Sequence, residues 1–278
     1  MTNPKLTEPE KQFLLGLTNV ASKQFADGLD TTAILNYVSS YQEPVTLSPA
    51  AALCKTGLPT LPTGIPIKSL PLITEASGGL MGMWLIGGPA GIGKSSLAWQ
   101  LCLEAGKHIP VLVYDLELGD QNLIYRTSKI CGENIQQVQQ ALKQVYIRDS
   151  IATLEGDLLQ IKPPALILVD SIQKCPTALT QRRGRRDKYL NRLETLAKHG
   201  YTILLVSELN RQWGNEQSVN SFKESSELGY SCSFGVTLLA REDGSMGVMI
   251  VKNRHRQPSG FITALTRDTK KIFWWSEI

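Results

Sequence analysis

Met83-Trp-Leu-Ile-Gly87-Gly88-Pro-Ala-Gly-Ile-Gly93-Lys94-Ser95-Ser96 is the stretch whose reading decides the fold. Met83–Gly87 is a short apolar run that predicts a buried strand, and Ser95–Gly106 has the pattern of a helix. Between them Gly88, Pro89, Ala90, Gly91, Ile92, Gly93, Lys94 and Ser95 fit the spacing G-x-x-x-x-G-K-[ST]. Glycines let backbone N–H groups turn toward phosphates, and the positive end of the following helix favours anions. Lys94 would reach the β- and γ-phosphates, the Ser95 hydroxyl would hold Mg²⁺, and Ser96 completes the nucleotide-binding set. ATP and Mg²⁺ are therefore the expected ligands.

Working outward, further short apolar runs alternate with helical stretches, as expected of a parallel sheet covered on both faces. Strands are predicted at Val111–Leu116, Val145–Arg148, Ala165–Asp170 and Ile203–Ser207. Helices are predicted at Asn122–Cys131, Ile135–Lys143 and Lys188–His199. Ala165-Leu-Ile-Leu-Val-Asp170 ends four consecutive aliphatics in a carboxylate, which makes Asp170 the expected magnesium-organising acid beside Ser95. Val111-Leu-Val-Tyr-Asp115-Leu-Glu117 offers Glu117 to orient or deprotonate water, with Asp115 and Asp120 as competitors. The tail, at Val236–Ala240, Gly247–Lys252, Ile262–Thr266 and Ile272–Trp275, reads as a hairpin-rich extension at the sheet edge.

Thr7 to about Tyr41 carries two helix-like stretches, and the prolines at 44, 49, 59, 62, 66 and 71 predict a connector. The boundary falls near residues 60 to 75, giving a short helical arm at 1–60 and a catalytic domain at 61–278. Over 278 residues, 29 basic and 25 acidic side chains give a net charge of +4, which permits nucleic-acid binding without requiring it. Cys54, Cys102, Cys131, Cys175 and Cys232 are scattered with no CxxC pair, which fits free buried thiols better than a zinc site. With neither an apolar leader nor a run long enough to cross a membrane, the expected location is cytoplasmic, without a membrane partner.

Several of these pieces stand in an order that resembles the RecA-like core of DnaB-type replicative helicases, with KaiC- and RadA-like ATPases as relatives. Leu61-Pro-Thr-Gly-Ile65 and Ser77-Gly-Gly-Leu-Met-Gly82 look like the family's entry into the phosphate-loop strand. Leu116-Glu117-Leu118 with Arg126 looks like its second motif, and Val169-Asp170-Ser-Ile-Gln173 resembles the Walker B strand. Leu205-Val-Ser207-Glu-Leu-Asn-Arg211 resembles the sensor strand, and Lys252-Asn-Arg254-His-Arg256-Gln-Pro-Ser-Gly260 the family's basic hairpin. The likeness runs over about residues 60 to 275.

The resemblance implies an α/β, RecA-like P-loop NTPase that hydrolyses ATP as a hexameric DNA translocase or helicase of a plasmid, phage or mobile-element replication system. It implies a homohexameric ring with ATP at each interface, and Lys252 and Arg254, with Arg256 in reserve, acting on a neighbour's γ-phosphate. Other replication proteins would be possible partners. Single-stranded DNA would meet Arg182, Arg183, Arg185 and Arg186, packed around Gly184 in a flexible basic loop after the Walker B strand, and Lys223 in a second loop spanning residues 212 to 226, where Trp213 could stack on a base. Such an arginine cluster is also the ordinary composition of a solvated surface. The family has Gln or His where this chain has Glu208, a carboxylate that would repel a γ-phosphate unless a cation intervenes. Two other readings stand beside the motor: a recombinase-like DNA-dependent ATPase, and a nucleotide-regulated oligomeric scaffold that recruits protein partners on DNA.

Overall fold

A computed structural model describes residues 63–175, 182–208, 226–254, 260–267 and 273–278, all within the unit 61–278. The expected arm at 1–60 lies outside the described residues, as do Arg211, Trp213, Lys223 and Arg256.

Among the described residues nine strands form one sheet. They are β1 (Met83–Gly88), β2 (Val111–Asp115), β3 (Val145–Arg148), β4 (Ala165–Asp170), β5 (Tyr201–Glu208), β6 (Phe234–Ala240), β7 (Met246–Asn253), β8 (Gly260–Arg267) and β9 (Trp275–Glu277). Their order is β3-β2-β4-β5-β1-β6-β7-β8-β9. The pairings from β3 through β6 are parallel, and those from β6 to β9 antiparallel. The fold class expected from the sequence is therefore the fold observed. Two details of the tail differ. Val236–Ala240 belongs to a strand that runs parallel beside β1, before the antiparallel part begins. The last strand is Trp275–Glu277, further along than Ile272–Trp275, because pairing with Arg267, Thr266 and Leu265 sets its limits rather than local apolar content.

The helices are α1 (Pro71–Ser77), α2 (Lys94–Ala105), α3 (Asp120–Ile130), α4 (Ile135–Ala141), α5 (Leu154–Gln160), α6 (Arg182–Lys198) and α7 (Ser226–Ser231). Pro71 starts α1, since proline at the first helical position gives up no hydrogen bond. The basic stretch read as a loop is instead helical: Arg182, Arg183, Arg185 and Arg186 lie in the opening turns of α6. Arginine is a good helix former, and Gly184 subtracts only about 1 kcal/mol, which the rest of a 17-residue helix outweighs.

Every residue of β1, β2 and β4 is buried, as strands covered on both faces must be. Alternate side chains divide into two clusters. Trp84, Ile86, Val113, Leu168 and Val206 pack with Leu97, Leu101 and Cys102 of α2. Leu85, Leu112, Val169 and Leu205 pack with Leu154, Leu158, Leu190 and Leu193 of α5 and α6. Cys102, Cys131, Cys175 and Cys232 are in no disulfide. Among the described residues no helix is long and apolar enough to cross a membrane.

Candidate nucleotide site

The carboxyl ends of β1, β2, β4 and β5 open on one side of the sheet, the crevice where ligands of open α/β sheets sit. β1 ends at Gly88, the chain loops over Pro89–Gly93, and α2 begins at Lys94. Gly93 has φ +110°, and a β-carbon there would stand 2.6 Å from Cζ2 of Trp275. Backbone conformation and packing both demand glycine. Gly91, at φ +76°, would meet nothing within 4 Å. Gly93→Ala is therefore expected to cost about 2–4 kcal/mol, and Gly91→Ala about 1 kcal/mol, read as thermal unfolding midpoints roughly 5 to 10 °C apart. Equal midpoints would refute the role given to the indole.

Trp275 is held in place by the same helix that follows the loop. The Gln100 side chain donates from Nε2 to the Trp275 carbonyl (2.8 Å) and accepts the Trp275 N–H at Oε1 (2.7 Å), both bonds buried. Two residues on, the Glu277 carboxylate accepts the N–H groups of Leu72 and Ile73 at the start of α1 (2.8 and 2.9 Å). β9 thus straps α2 and the loop to the body of the domain.

Lys94 is 8% exposed, and its ammonium donates to the Pro89 carbonyl at 2.9 Å. Burial lowers its pKa, opposed by the negative charges of Glu208, Asp170 and Glu117. Asp170, 6% exposed, ends β4 directly opposite Asp115 at the end of β2. Burial pushes its carboxyl up to about 6; a hydrogen bond from the Ser95 hydroxyl pulls the other way, Glu117 and Asp115 push it further up, and Arg126 pulls it down.

The three acids at and beyond the end of β2 differ in their surroundings. Asp115 is buried and spends Oδ1 on the N–H groups of Glu117 and Leu118 (3.1 and 3.0 Å), shaping the turn. Asp120 is exposed at the first position of α3 and accepts the Gln121 N–H at 2.7 Å. Glu117 lines the cavity, its Oε1 accepting a hydrogen bond from the Ser171 hydroxyl at 2.7 Å. Beyond Asp170, Gln173 Nε2 donates to Ser207 Oγ (2.7 Å) and ties the end of β4 to that of β5.

These residues surround a cavity of about 320 Å³, within the usual size range of small-ligand sites. Lys94, Ser95, Ser96, Glu117 and Asp170 all line it, with Ala90, Gly91 and Gly93 of the loop. Sequence reading did not assign Arg126, Ser171, Arg267 or Phe273 to this wall. Arg126 lies 5.5 Å from the Phe273 ring centroid, and Arg267 lies 5.2 Å from that of Trp275. Arg126 reaches the wall from α3; nothing local in the sequence marks Arg267 and Phe273 as part of the site.

Asp170 Oδ1 is buried without a hydrogen-bond partner, and the Ser95 hydroxyl touches the same carboxylate. Hydroxyl and carboxylate oxygens are the hard donors that Mg²⁺ takes, so the residues fit that ion. Among the described residues no three acidic, histidine or cysteine side chains group to hold a metal by themselves. Phosphate and water oxygens would complete the shell.

Lys252 and Arg254 are not brought to this cavity. Asn253 pairs with Phe234, which pairs with Trp84 near the start of β1, so both cations stand at the opposite end of the sheet. At about 3.3 Å per residue that is on the order of 13 Å or more from Gly88. Lys252 Nζ donates to the carbonyls of Gly229 (2.6 Å) and Tyr230 (2.7 Å), and Arg254 Nη2 to that of Tyr230 (2.6 Å). A second cavity, of about 600 Å³, lies there between Met81, Met83, Ala197, Tyr230 and Arg254.

No protein-family model and no curated protein matches the chain. Solved structures do. One, an ATPase domain, superposes with a TM-score of 0.63 at 17% identity, covering 78% of this chain and 92% of that one. A DnaB-like replicative helicase, described with its interactions with primase, gives a TM-score of 0.68 at 16% identity, with coverages of 96% and 75%. The RadB recombinase gives 0.56 at 19% identity, covering 77% and 99%. At these identities the likeness is one of fold, and the fold is the RecA-like ATPase core of DnaB-type helicases and RadB.

Proposed function

We propose that the chain is an ATP-hydrolysing, ring-forming DNA translocase or helicase of the DnaB type, working in plasmid, phage or mobile-element replication. The observation that carries this reading is the division of the site between two ends of one sheet. Lys94, Ser95, Asp170 and Glu117 share one cavity, whereas Lys252 and Arg254 stand too far from it to serve it within one chain and would serve a second copy. The fold shared with the solved ATPase domain and with the DnaB-like helicase supports it.

In this mechanism the loop N–H groups from Gly88 to Ser95 and the Lys94 ammonium bind the β- and γ-phosphates. Ser95 and Asp170 would hold Mg²⁺, which when bound supplies positive charge to the phosphate oxygens and a fixed orientation. Glu117, steadied by the Ser171 hydroxyl, orients the attacking water and takes its proton. Lys252 and Arg254 of a neighbouring copy stabilise charge on the transferring phosphoryl group. The opening turns of α6, with Arg182, Arg183, Arg185 and Arg186, meet the backbone of single-stranded DNA, with Lys223 as a further phosphate contact.

Steady-state ATPase activity with and without single-stranded DNA, across a salt series, tests the proposal. Stimulation of about tenfold or more that fades with rising salt is expected, because phosphate contacts release counterions. ATP binding without any DNA stimulation would refute the motor. That outcome would favour the nucleotide-controlled scaffold, a reading to which Glu208 inside the cavity gives some support.

A further inference from the structure

α7 is six residues long, Ser226–Ser231, well below the length at which a helix holds itself together in water. The last carbonyls of a helix have no partner within it. Here β7 and the residue after it supply partners from the side. Lys252 Nζ donates to the carbonyls of both Gly229 (2.6 Å) and Tyr230 (2.7 Å), and Arg254 Nη2 donates to that of Tyr230 (2.6 Å). The Cys232 N–H closes the last turn on the Leu228 carbonyl at 3.3 Å, and the Cys232 thiol donates to the Gly229 carbonyl at 3.3 Å. Positive charge is favourable at a helix C-terminus, so the two cations hold the turn closed.

Lys252 and Arg254 are also the groups read above as acting on a neighbour's γ-phosphate. A phosphate oxygen carries full charge where a peptide carbonyl carries a partial one, so a terminal phosphate brought within reach by a second copy is the better acceptor for both. Arg254 has room to turn toward it, since with Tyr230 it lines the cavity of about 600 Å³ at this end of the sheet. The backbone beside α7 does not depend on either side chain: the Ser233 N–H donates to the Met83 carbonyl (2.8 Å), and the Arg254 N–H to the Ser233 carbonyl (2.9 Å). What changes partner is the last turn of α7.

Resting on that reading of the two cations, we propose that the end of α7 is a latch governed by the nucleotide of the neighbouring copy. With diphosphate next door, Lys252 and Arg254 stay on the Gly229 and Tyr230 carbonyls and the turn is closed. A triphosphate draws them across, and the turn opens as its carbonyls pass to water. The contact is also autoinhibitory: in a lone chain both cations are engaged at home, and assembly must displace them before they serve catalysis.

Hydrogen exchange of the stretch 226–232 in the assembled full-length protein, with ADP or with a non-hydrolysable ATP analogue at fixed Mg²⁺ and salt, gives the test. Exchange is expected to be about tenfold or more faster with the analogue, the effect of losing charge-assisted hydrogen bonds from one turn. Protein carrying Lys252→Ala and Arg254→Ala should exchange fast with either nucleotide; Arg254→Ala alone, with a smaller nucleotide response than wild type, serves should the double variant not fold. Equal exchange with the two nucleotides in wild type, slower exchange with the analogue, or an undiminished response in the variants would each overturn the latch. Full ATP turnover by Arg254→Ala protein would instead refute the trans reading, whereas lost turnover with a wild-type α7 that ignores nucleotide would overturn the latch alone.

Discussion

Lys94→Ala protein is expected to lose ATP turnover by about three decades or more while unfolding within a few degrees of the parent. The ammonium is buried, and its pKa is lowered by that burial, so in the nucleotide-free protein its charge adds little to stability. Removing it leaves one carbonyl, that of Pro89, without this donor. Phosphates change the account. Charge-assisted hydrogen bonds contribute about 1.5–3 kcal/mol each, and a donor aimed at developing charge about 2.7–4 kcal/mol in a barrier. Phosphate release at saturating ATP, together with a melting curve, measures both halves. Turnover within tenfold of the parent would remove Lys94 from the mechanism, and a large fall in the melting midpoint would make its role structural.

Glu117→Gln should separate binding from chemistry. The amide oxygen can still accept the Ser171 hydroxyl, so the side chain stays where it is, and ATP affinity should remain within about threefold. Hydrolysis should fall by about 10² to 10⁴, the range a positioned base supplies. Retained turnover would move that role to another carboxylate. The same variant tests the far end of the sheet. Glu117→Gln subunits keep Arg254, and Arg254→Ala subunits keep Glu117, so mixing two inactive proteins would rebuild complete interfaces. At equal mixing about a quarter of the interfaces would be whole if assembly is random. No recovery would count against action in trans, and with it against the reading of Arg254.

What could be read from the sequence was what local pattern controls. The phosphate loop announces itself because a strand, a run of spaced glycines and a helix start all lie within some twenty residues, and Asp170 because four aliphatics precede it. Their strands came out with limits close to those expected, since burial on both faces leaves continuous apolar runs. The basic stretch from Arg182 was misread as a loop, because a glycine among arginines carries no helical periodicity of its own and the helix is anchored further on, by Leu190, Leu193 and Leu196. Phe273, Arg267 and Trp275 could not be found in this way. Their place in the site depends on β9 pairing with β8 and on one glutamine in α2, contacts that span most of the domain.

The Gln100–Trp275 bonds also bear on how the chain is made. They join positions 175 residues apart. At about 5–20 residues per second, the helix carrying Lys94 leaves the ribosome roughly ten to thirty-five seconds before its strap is translated. Through that interval Gln100, fully buried in the finished domain, can keep only the earlier of its partners, the Ser69 hydroxyl, which accepts from Nε2 at 2.9 Å. The packing of the Trp275 indole beside Gly93 is therefore a contact that can form only once residue 275 has been synthesised.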